Sequence, residues 1–232
     1  MNNQQKVGAI IVAAGESRRM GGADKVMLPL GGKPVLLRVI DVFQECRLID
    51  QIVAVVNEKS MESCRQLVNG GGWDKVSDKV SDVCLGGRRR QDSVLEGLKR
   101  LKNCEWVVIH DGARPLVTVD LIERGLEAAV DTGAAVAAVP VIDTIKVAGD
   151  DRIVRETPPR QNLWAVQTPQ VFSHEIITEV YSRANGDVTD DASLVEQSGY
   201  KVKLYMGSYD NIKITTPDDM ALAGVLWQKY GG

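Results

Sequence analysis

Histidine and closely spaced cysteine are scarce in this sequence. Of its 232 residues, two are histidines and four are cysteines, and no two cysteines form a C-x-x-C pair. Protein zinc sites are usually built from clusters of these residues, and a chain of this length rarely depends on disulfides. We therefore expect neither a zinc site nor a disulfide framework, but four reduced thiols in a cytoplasmic protein.

An excess of positive charge and a long apolar run are also missing. The formal net charge is −3, whereas a protein that binds nucleic acid usually has a broad basic surface. No apolar run approaches the roughly 20 residues that span a bilayer. Residues 1–6 are polar and lead directly into a predicted strand, so we expect no signal or transit segment. Nucleic acid and membrane are thus not expected partners, although a local cluster of Arg and Lys can bind a phosphorylated small molecule.

Apolar, β-branched runs alternate with helical patterns through the first 140 residues. The predicted strands are 7–13, 51–57, 80–85, 106–109 and 134–140, and the predicted helices are 34–46, 58–68, 92–101 and 118–130, the last with Thr118 as its N-cap. This alternation predicts an α/β fold with a doubly wound, mostly parallel, Rossmann-like sheet. Ligands of such sheets bind at the carboxyl ends of the strands. Loops rich in glycine and charge follow three of these strands, at 14–22, 86–90 and 110–115.

The pattern changes after Pro140. Residues 142–162 alternate polar and apolar side chains around Gly149, which predicts a two-stranded β-arm with strands at 144–146 and 153–154. An isolated hairpin is marginally stable in water, so we expect the arm to pack on a second subunit. Helices are predicted again at 174–183, 190–197 and 217–229, with a strand at 201–206. The expected organisation is a single domain, 1–232, with an arm at about 142–162.

The loop after the first strand carries the most chemistry. It contains Ala13, Ala14 and Gly15, then Arg18, Arg19 and finally Lys25. The loop matches neither the dinucleotide fingerprint G-x-G-x-x-G nor the P-loop G-x-x-x-x-G-K-[ST]. Its small residues let backbone N–H groups approach a phosphate, and the cations can hold one. A solvated basic loop is the alternative that composition alone leaves open.

Motifs along nearly the whole chain resemble those of the 2-C-methyl-D-erythritol 4-phosphate cytidylyltransferases, within the nucleotidyltransferases that activate sugars and polyols. The first is Ala13-Ala14-Gly15 with Arg19, Met20 and Lys25. The others, in the family's order, are Gly86-Gly87-Arg88-Arg89-Arg90-Gln91-Asp92-Ser93-Val94, His110-Asp111-Gly112-Ala113-Arg114-Pro115, Asp143-Thr144-Ile145-Lys146, Leu163-Trp164, Gln167-Thr168-Pro169-Gln170, Thr189-Asp190-Asp191-Ala192-Ser193 and Asp210-Asn211-Ile212-Lys213. The resemblance implies a fold of the nucleotide-diphospho-sugar transferase type.

The resemblance also implies a reaction. The phosphate of 2-C-methyl-D-erythritol 4-phosphate attacks the α-phosphorus of CTP, and pyrophosphate leaves. A phosphate monoester has a second pKa of about 6, so this nucleophile needs no general base. The requirement is electrostatic, because two anions must be brought together. By resemblance, the catalytic cations are Arg19, Lys25 and Lys213.

The remaining site residues are assigned by resemblance as well. The nucleotide-binding set is Ala13, Ala14, Gly15, Gly87, Arg90 and Ser93, of which Gly87 and Ser93 read the cytosine. The acceptor-binding set is Asp111, Arg114, Thr144, Arg160, Thr168, Thr189 and Asp210. Asp111 and Asp210 are hypothetical ligands of Mg²⁺, since carboxylate and triphosphate oxygens suit this cation. Because the arm of the family crosses onto a partner subunit, a homodimer is implied.

One segment departs from the family pattern. The family usually has Pro before the catalytic lysine, whereas this sequence has Asp24-Lys25-Val26-Met27. Lys25 is retained, and we keep its role. The altered neighbours change the expected path of the loop, and the Asp24 carboxylate can neutralise part of the lysine charge.

Three alternatives remain open at this point. A ribitol 5-phosphate cytidylyltransferase shares fold, nucleotide and mechanism, but Asp210 and Leu163-Trp164 favour the methylerythritol acceptor. A glycosyltransferase usually needs an Asp-x-Asp motif at a strand end, and the candidate pair Asp150-Asp151 falls at the predicted tip of the arm. An inactive nucleotide-binding relative would have no chemical reason to keep Arg19, Lys25 and Lys213.

Overall fold

A computed structural model describes residues 5–21, 24–68, 78–183, 186 and 188–229. Predictions that fall on residues 1–4, or on residues 22 and 23 of the first loop, lie outside the described residues, as does the Arg18 side chain. The strands are β1 Val7–Ala13, β2 Pro29–Leu30, β3 Lys33–Pro34, β4 Gln51–Val56, β5 Val80–Leu85, β6 Trp106–Asp111, β7 Ala134–Pro140, β8 Val147–Ala148, β9 Val154–Glu156, β10 Trp164–Ser173 and β11 Lys203–Met206. The helices are α1 Val35–Glu45, α2 Glu58–Val68, α3 Arg90–Leu98, α4 Val119–Ala129, α5 His174–Arg183, α6 Asp191–Gln197 and α7 Pro217–Lys229.

Seven strands form the central sheet, in the order β11-β7-β10-β6-β1-β4-β5. The pairs β1–β4, β1–β6, β4–β5 and β7–β11 are parallel, whereas β10 runs antiparallel to both β6 and β7. The predicted doubly wound, mostly parallel sheet is therefore confirmed. The carboxyl ends of β1, β4, β5 and β6 meet along one edge, which is where the glycine-rich and charged loops lie.

Apolar side chains cover both faces of this sheet. On one face, α1, α2 and α4 pack with residues such as Phe43, Cys64 and Leu121. On the other face, α3, α5 and α6 pack with residues such as Val94 and Ile177. The central strands are buried on both sides, which explains why their sequences are continuous apolar runs rather than alternating ones. All four cysteines are buried and free.

Strand β10 is the main element that the sequence did not predict. Its residues 167–170 are Gln-Thr-Pro-Gln, which interrupt the apolar pattern, and its pairing with β7 shifts register between Val166 and Gln170. Proline within a strand usually marks an edge or an irregularity, yet this strand lies between β6 and β7. Its insertion brings residues 167–170 beside the end of β6.

Smaller differences concern element ends. The arm is a hairpin that turns at Gly149, as predicted, but its strands are Val147–Ala148 and Val154–Glu156 rather than 144–146 and 153–154. Helix α3 begins at Arg90, two residues before the prediction, because Asp92 accepts hydrogen bonds from Arg89 and extends the helix start. Strand β6 continues through His110 and Asp111, which were predicted to lie in the following loop.

The cap of α4 follows the prediction. The Thr118 side chain accepts a hydrogen bond from the backbone N–H of Leu121 at 3.2 Å, as an N-cap does. Within the described ranges, none of the helices has both the length and the apolar composition needed to cross a bilayer.

Candidate active site

A cavity of about 560 Å³ opens at the carboxyl ends of β1, β4, β5 and β6. The loop after β1 and the segment that begins α3 form opposite walls of this cavity. Lys25 and Lys213, which are distant in sequence, complete its lining. Predicted site residues in its lining are Ala13, Ala14, Gly15, Lys25, Gly87, Arg90, Ser93, Asp111 and Lys213. The topology thus gathers the predicted nucleotide-binding set into one cavity, together with two of the three predicted catalytic cations.

The loop between β5 and α3 is packed tightly against the β1 loop. A Cβ atom on Gly86 would overlap the Ala14 side chain and lie 2.6 Å from Ser93 Oγ, so any larger residue would push the two loops apart. Ser93 Oγ accepts a hydrogen bond from Gly87 N–H at 3.1 Å and donates one to Arg89 O at 3.1 Å. These contacts fix the wall of the cavity at the start of α3.

A second cavity of about 410 Å³ adjoins the first and shares Arg90, Asp111 and Lys213 with it. The described residues that line it come mainly from β10 and the segment that begins α6. Predicted acceptor-binding residues in its lining are Asp111, Arg114, Thr168 and Thr189. Two ligands in these cavities would therefore meet at the three shared side chains.

Three cations surround the carboxylate of Asp111. Its Oδ1 lies 3.3 Å from Arg90 Nε, and its Oδ2 lies 2.9 Å from Lys213 Nζ and 3.5 Å from Arg114 Nε. Burial alone would raise the pKa of this carboxyl, but the positive charges of Arg90, Lys213 and Arg114 lower it well below its usual range. Asp111 is therefore ionised at neutral pH and orients the cations between the cavities.

A chain of hydrogen bonds joins β6 to β10 beside Asp111. The backbone N–H of Asp111 donates to Thr168 Oγ1 at 3.0 Å, Thr168 Oγ1 lies 3.0 Å from His110 Nδ1, and His110 Nε2 lies 3.2 Å from the carbonyl oxygen of Arg114. Since a carbonyl only accepts, His110 carries its proton on Nε2, and Thr168 donates to Nδ1. Burial lowers the pKa of His110 to about 4, so the ring is neutral. His110 is thus a structural residue near the end of β6.

Lys25 sits between like charges. Burial is the main reason that its pKa is lowered, and the nearby positive charges of Lys213 and Arg19 lower it further. Its backbone N–H donates to Ser17 Oγ at 3.3 Å. The preceding residue, Asp24, accepts a hydrogen bond from Asn57 Nδ2 at 2.9 Å, which ties the altered loop to the end of β4. Asp24 raises the pKa of Lys25, but it is the smallest of the causes.

Four predicted site residues are not among the described residues that line the two cavities: Arg19, Thr144, Arg160 and Asp210. Arg19 is exposed on the short 3₁₀ helix after β1 and is close enough to Lys25 to affect its pKa. Thr144 and Arg160 are exposed at the two ends of the arm. Asp210 is paired with Lys229 of α7 at 3.1 Å.

Asp191 and Tyr181 were not predicted as site residues, although both are buried beside Arg90. Asp191 Oδ2 accepts a hydrogen bond from Arg90 Nη1 at 2.7 Å, and Asp191 Oδ1 accepts one from the Tyr181 hydroxyl at 2.6 Å. The sequence contained one signal, because Asp191 follows Asp190, whose side chain caps α6. An acidic pair at a helix start reads as ordinary capping, so the pattern alone does not reveal an inward-facing carboxylate.

The sheet, the two adjoining cavities at its carboxyl edge and the cluster of cations define a nucleotidyltransferase of the doubly wound α/β class. The model of one family, described as 2-C-methyl-D-erythritol 4-phosphate cytidylyltransferase, matches residues 7–229. The chain therefore belongs to the 2-C-methyl-D-erythritol 4-phosphate cytidylyltransferase family. The resemblance inferred from the motifs is confirmed.

Individual relatives agree with this assignment. The chain is 50% identical over 225 residues, 97% of each sequence, to a 2-C-methyl-D-erythritol 4-phosphate cytidylyltransferase of Dehalococcoides mccartyi. The crystal structure of 4-diphosphocytidyl-2C-methyl-D-erythritol synthase from Anaerococcus prevotii has a TM-score of 0.85 at 32% identity, covering 97% of this chain and 96% of that one. The Thermus thermophilus 2-C-methyl-D-erythritol 4-phosphate cytidylyltransferase structure has a TM-score of 0.76 at 31% identity, covering 97% and 100%.

Proposed function

We propose that this chain joins CTP to 2-C-methyl-D-erythritol 4-phosphate, giving 4-diphosphocytidyl-2-C-methyl-D-erythritol and pyrophosphate. The family assignment over residues 7–229 supports this activity. The observation that carries the mechanism is the meeting of two cavities at Arg90, Asp111 and Lys213. The nucleotide occupies the larger cavity and the acceptor the smaller one, so that the reacting phosphates meet at these side chains.

The reaction forms one P–O bond and breaks another. An oxygen of the acceptor phosphate attacks the α-phosphorus of CTP, and the bond from the α-phosphorus to the bridging oxygen of pyrophosphate breaks. Lys25 and Lys213 neutralise the charge that builds up on the α-phosphate oxygens, and Arg19 assists from the exposed side of the β1 loop. Because positive charges and burial lower the pKa of Lys25, an anionic phosphate relieves a repulsion that already exists in the protein.

Recognition of cytosine falls to the larger cavity where α3 begins. The backbone of Gly87 and the hydroxyl of Ser93 supply polar groups there, and the contact between Gly86 and Ala14 limits its width. A single-ring base fits such a space better than a purine does. We expect ATP to be a poor substrate for this reason.

The arm extends the acceptor site across two subunits. Thr144 and Arg160 are exposed, and Ile142, Ile153 and Val154 on the same arm are 52–65% exposed. Apolar side chains at such exposure favour a protein partner, and in our proposal the partner is a second copy of the chain. Light scattering tests the homodimer, which a monomer at micromolar concentration would contradict. Arg160→Ala tests the acceptor role and should raise the acceptor KM without changing the KM for CTP.

The described residues fit an Mg²⁺ ion that binds together with the nucleotide phosphates, rather than one that the protein holds by itself. Among the described residues there is no group of three His, Cys, Asp or Glu side chains that could hold a metal. Mg²⁺ commonly binds through one or two carboxylates together with substrate phosphates. Asp111 lies between the cavities and would supply one such oxygen in exchange for its contact with Arg90, Arg114 or Lys213, and Asp210 would in the same way have to release Lys229. The ion would neutralise phosphate charge.

The decisive assay is pyrophosphate release with Mg²⁺ and CTP. Turnover with 2-C-methyl-D-erythritol 4-phosphate, and none with ribitol 5-phosphate or with ATP in place of CTP, is the expected result. Turnover with ribitol 5-phosphate alone would keep the mechanism and reject the acceptor. The four free, buried cysteines are consistent with our proposal that the enzyme works in the reducing cytoplasm.

A further inference from the structure

The guanidinium of Arg90 is held between two buried carboxylates. Its Nε lies 3.3 Å from Asp111 Oδ1, and its Nη1 donates to Asp191 Oδ2 at 2.7 Å. Asp191 is 1% exposed, and its second oxygen accepts a hydrogen bond from Tyr181, which is 8% exposed. Both oxygens of Asp191 are therefore satisfied inside the protein.

These residues differ in what they face. Arg90 and Asp111 line both cavities, whereas Asp191 and Tyr181 are absent from the described lining of either. Arg90 begins α3, Asp191 begins α6, and Tyr181 lies in the last turn of α5. A substrate in either cavity can touch Arg90, whereas Asp191 can act on a substrate only indirectly, either through Arg90 or through its neighbours at the start of α6, Asp190 and Ala192, which line the second cavity.

The charges explain why Arg90 needs two partners. Burial alone would lower the pKa of Arg90, but the negative charges of Asp191 and Asp111 raise it above its usual value. Without Asp191, the whole guanidinium would be drawn to Asp111, its remaining carboxylate neighbour. With Asp191 holding Nη1, Arg90 presents Nε to one oxygen of Asp111 and leaves the other oxygen to Lys213, at 2.9 Å, and to Arg114, at 3.5 Å.

We propose that Asp191, held in place by Tyr181, is a positioning residue that fixes the orientation of Arg90. The orientation of Arg90 in turn decides which oxygen of Asp111 contacts Arg90 and which contacts Lys213. The inference rests on the proposed cytidylyl transfer, because Lys213 is one of its catalytic cations. It assigns a role in that reaction to a buried pair outside both cavities.

The first test is substitution of the buried pair. Asp191→Asn keeps the shape and removes the charge, so kcat/KM should fall by about 10- to 100-fold, as expected for a lost charged hydrogen bond. Tyr181→Phe keeps every charge and loosens Asp191, so the fall should be smaller, about threefold to tenfold. Tyr200→Phe is the matched control, since its hydroxyl donates to Glu179 at 2.8 Å on the outer side of α5; its kcat/KM should not change.

The deciding test is a double-mutant cycle with Arg90→Met, which keeps an unbranched side chain at that position. If Asp191 acts through Arg90, Asp191→Asn causes no further loss of kcat/KM in the Arg90→Met background. It should even raise the melting temperature there, because it removes an unpaired buried carboxylate. An equal loss of kcat/KM in both backgrounds would show that Asp191 only supports folding, and would overturn the inference. If Arg90→Met does not fold, an unchanged kcat/KM in folded Tyr181→Phe and Asp191→Asn would overturn it equally.

The same cycle is measured on the affinity for pyrophosphate by calorimetry, which needs no acceptor. Asp191→Asn should change the affinity for pyrophosphate in the wild-type background and leave it unchanged in Arg90→Met. If the wild-type protein releases no pyrophosphate with 2-C-methyl-D-erythritol 4-phosphate, the proposed acceptor is wrong. The binding cycle then still decides the role of Asp191, since equal effects in both backgrounds would reject it.

Discussion

Replacing Asp111 by Asn gives the sharpest test of the charge arrangement at the site. The substitution keeps the size of the side chain but leaves Arg90, Arg114 and Lys213 without their common anion. Asp111 and Arg114 have side chains that are only 8% and 12% exposed, so water cannot replace the lost charge there. Lys213 is 38% exposed and partly screened by solvent, so its pairing with Asp111 contributes less to the free energy of unfolding.

The expected magnitude follows from this burial. Removing one partner of a buried ion pair costs about 3–5 kcal/mol of unfolding free energy. In a chain of this size, 1 kcal/mol shifts the melting temperature by about 2–4 °C. Asp111→Asn should therefore melt about 6–20 °C below the wild type. The control is Asp120→Asn, whose pair with Arg124 is 73% and 39% exposed, and which should melt within about 4 °C of the wild type because exposed pairs contribute ~0–1 kcal/mol.

Two further readouts make the reasoning refutable. Pyrophosphate should raise the melting temperature of Asp111→Asn more than that of the wild type, because the anion replaces the missing carboxylate among the cations. Since the pKa of Asp111 is lowered in the folded protein, its contribution is complete above about pH 4 and is lost as the pH falls further. The difference in melting temperature between the wild type and Asp111→Asn should therefore become smaller below about pH 4. The account would be refuted if Asp111→Asn were as stable as the wild type at pH 7. It would also be refuted if pyrophosphate raised the melting temperature of Asp111→Asn less than that of the wild type.

Three other predictions concern single side chains. Lys25→Ala should lower kcat by about 100- to 1000-fold, the loss seen when one donor to a developing anion is removed, with a melting temperature no lower than that of the wild type; a loss below tenfold would reject its catalytic role. In Lys213→Met the pKa of Lys25, measured by NMR of labelled lysine, should rise because one nearby positive charge is gone. A lower pKa would contradict the described geometry. Thr118→Ala should lower the melting temperature by about 2–4 °C through loss of the α4 cap, with kcat unchanged; an unchanged melting temperature would show that the cap contributes nothing.

Much of the sheet could be predicted from local pattern. The runs that form β1, β4 and β6 are apolar and rich in β-branched residues because both faces of the sheet are covered there. Strand β7 is rich in alanine, and the edge strand β5 includes Ser81 and Asp82. The position of the site followed from the same pattern, since loops after parallel strands meet at one edge. The family motifs then supplied roles for individual residues, which local pattern cannot give.

The features that escaped prediction depend on contacts between distant parts of the chain. Arg90 and Asp191 are 101 positions apart, and Thr168 and Asp111 are 57 apart. No periodicity within a short segment encodes such pairs. Strand β10 was missed for a related reason: its Gln-Thr-Pro-Gln segment resembles a loop, and only its neighbours β6 and β7 hold it in the sheet.

The place of β10 also has a consequence for the order in which the enzyme can assemble. The chain is synthesised from its N-terminal end, but β6 and β7 are joined through β10, which follows both of them in the chain. Until residue 173 has left the ribosome, each of these two strands presents an unpaired edge, which is a site for mispairing. Thr168 then reaches the backbone of Asp111, and Lys213 arrives later still. The cations around Asp111 are therefore gathered only when synthesis is nearly complete.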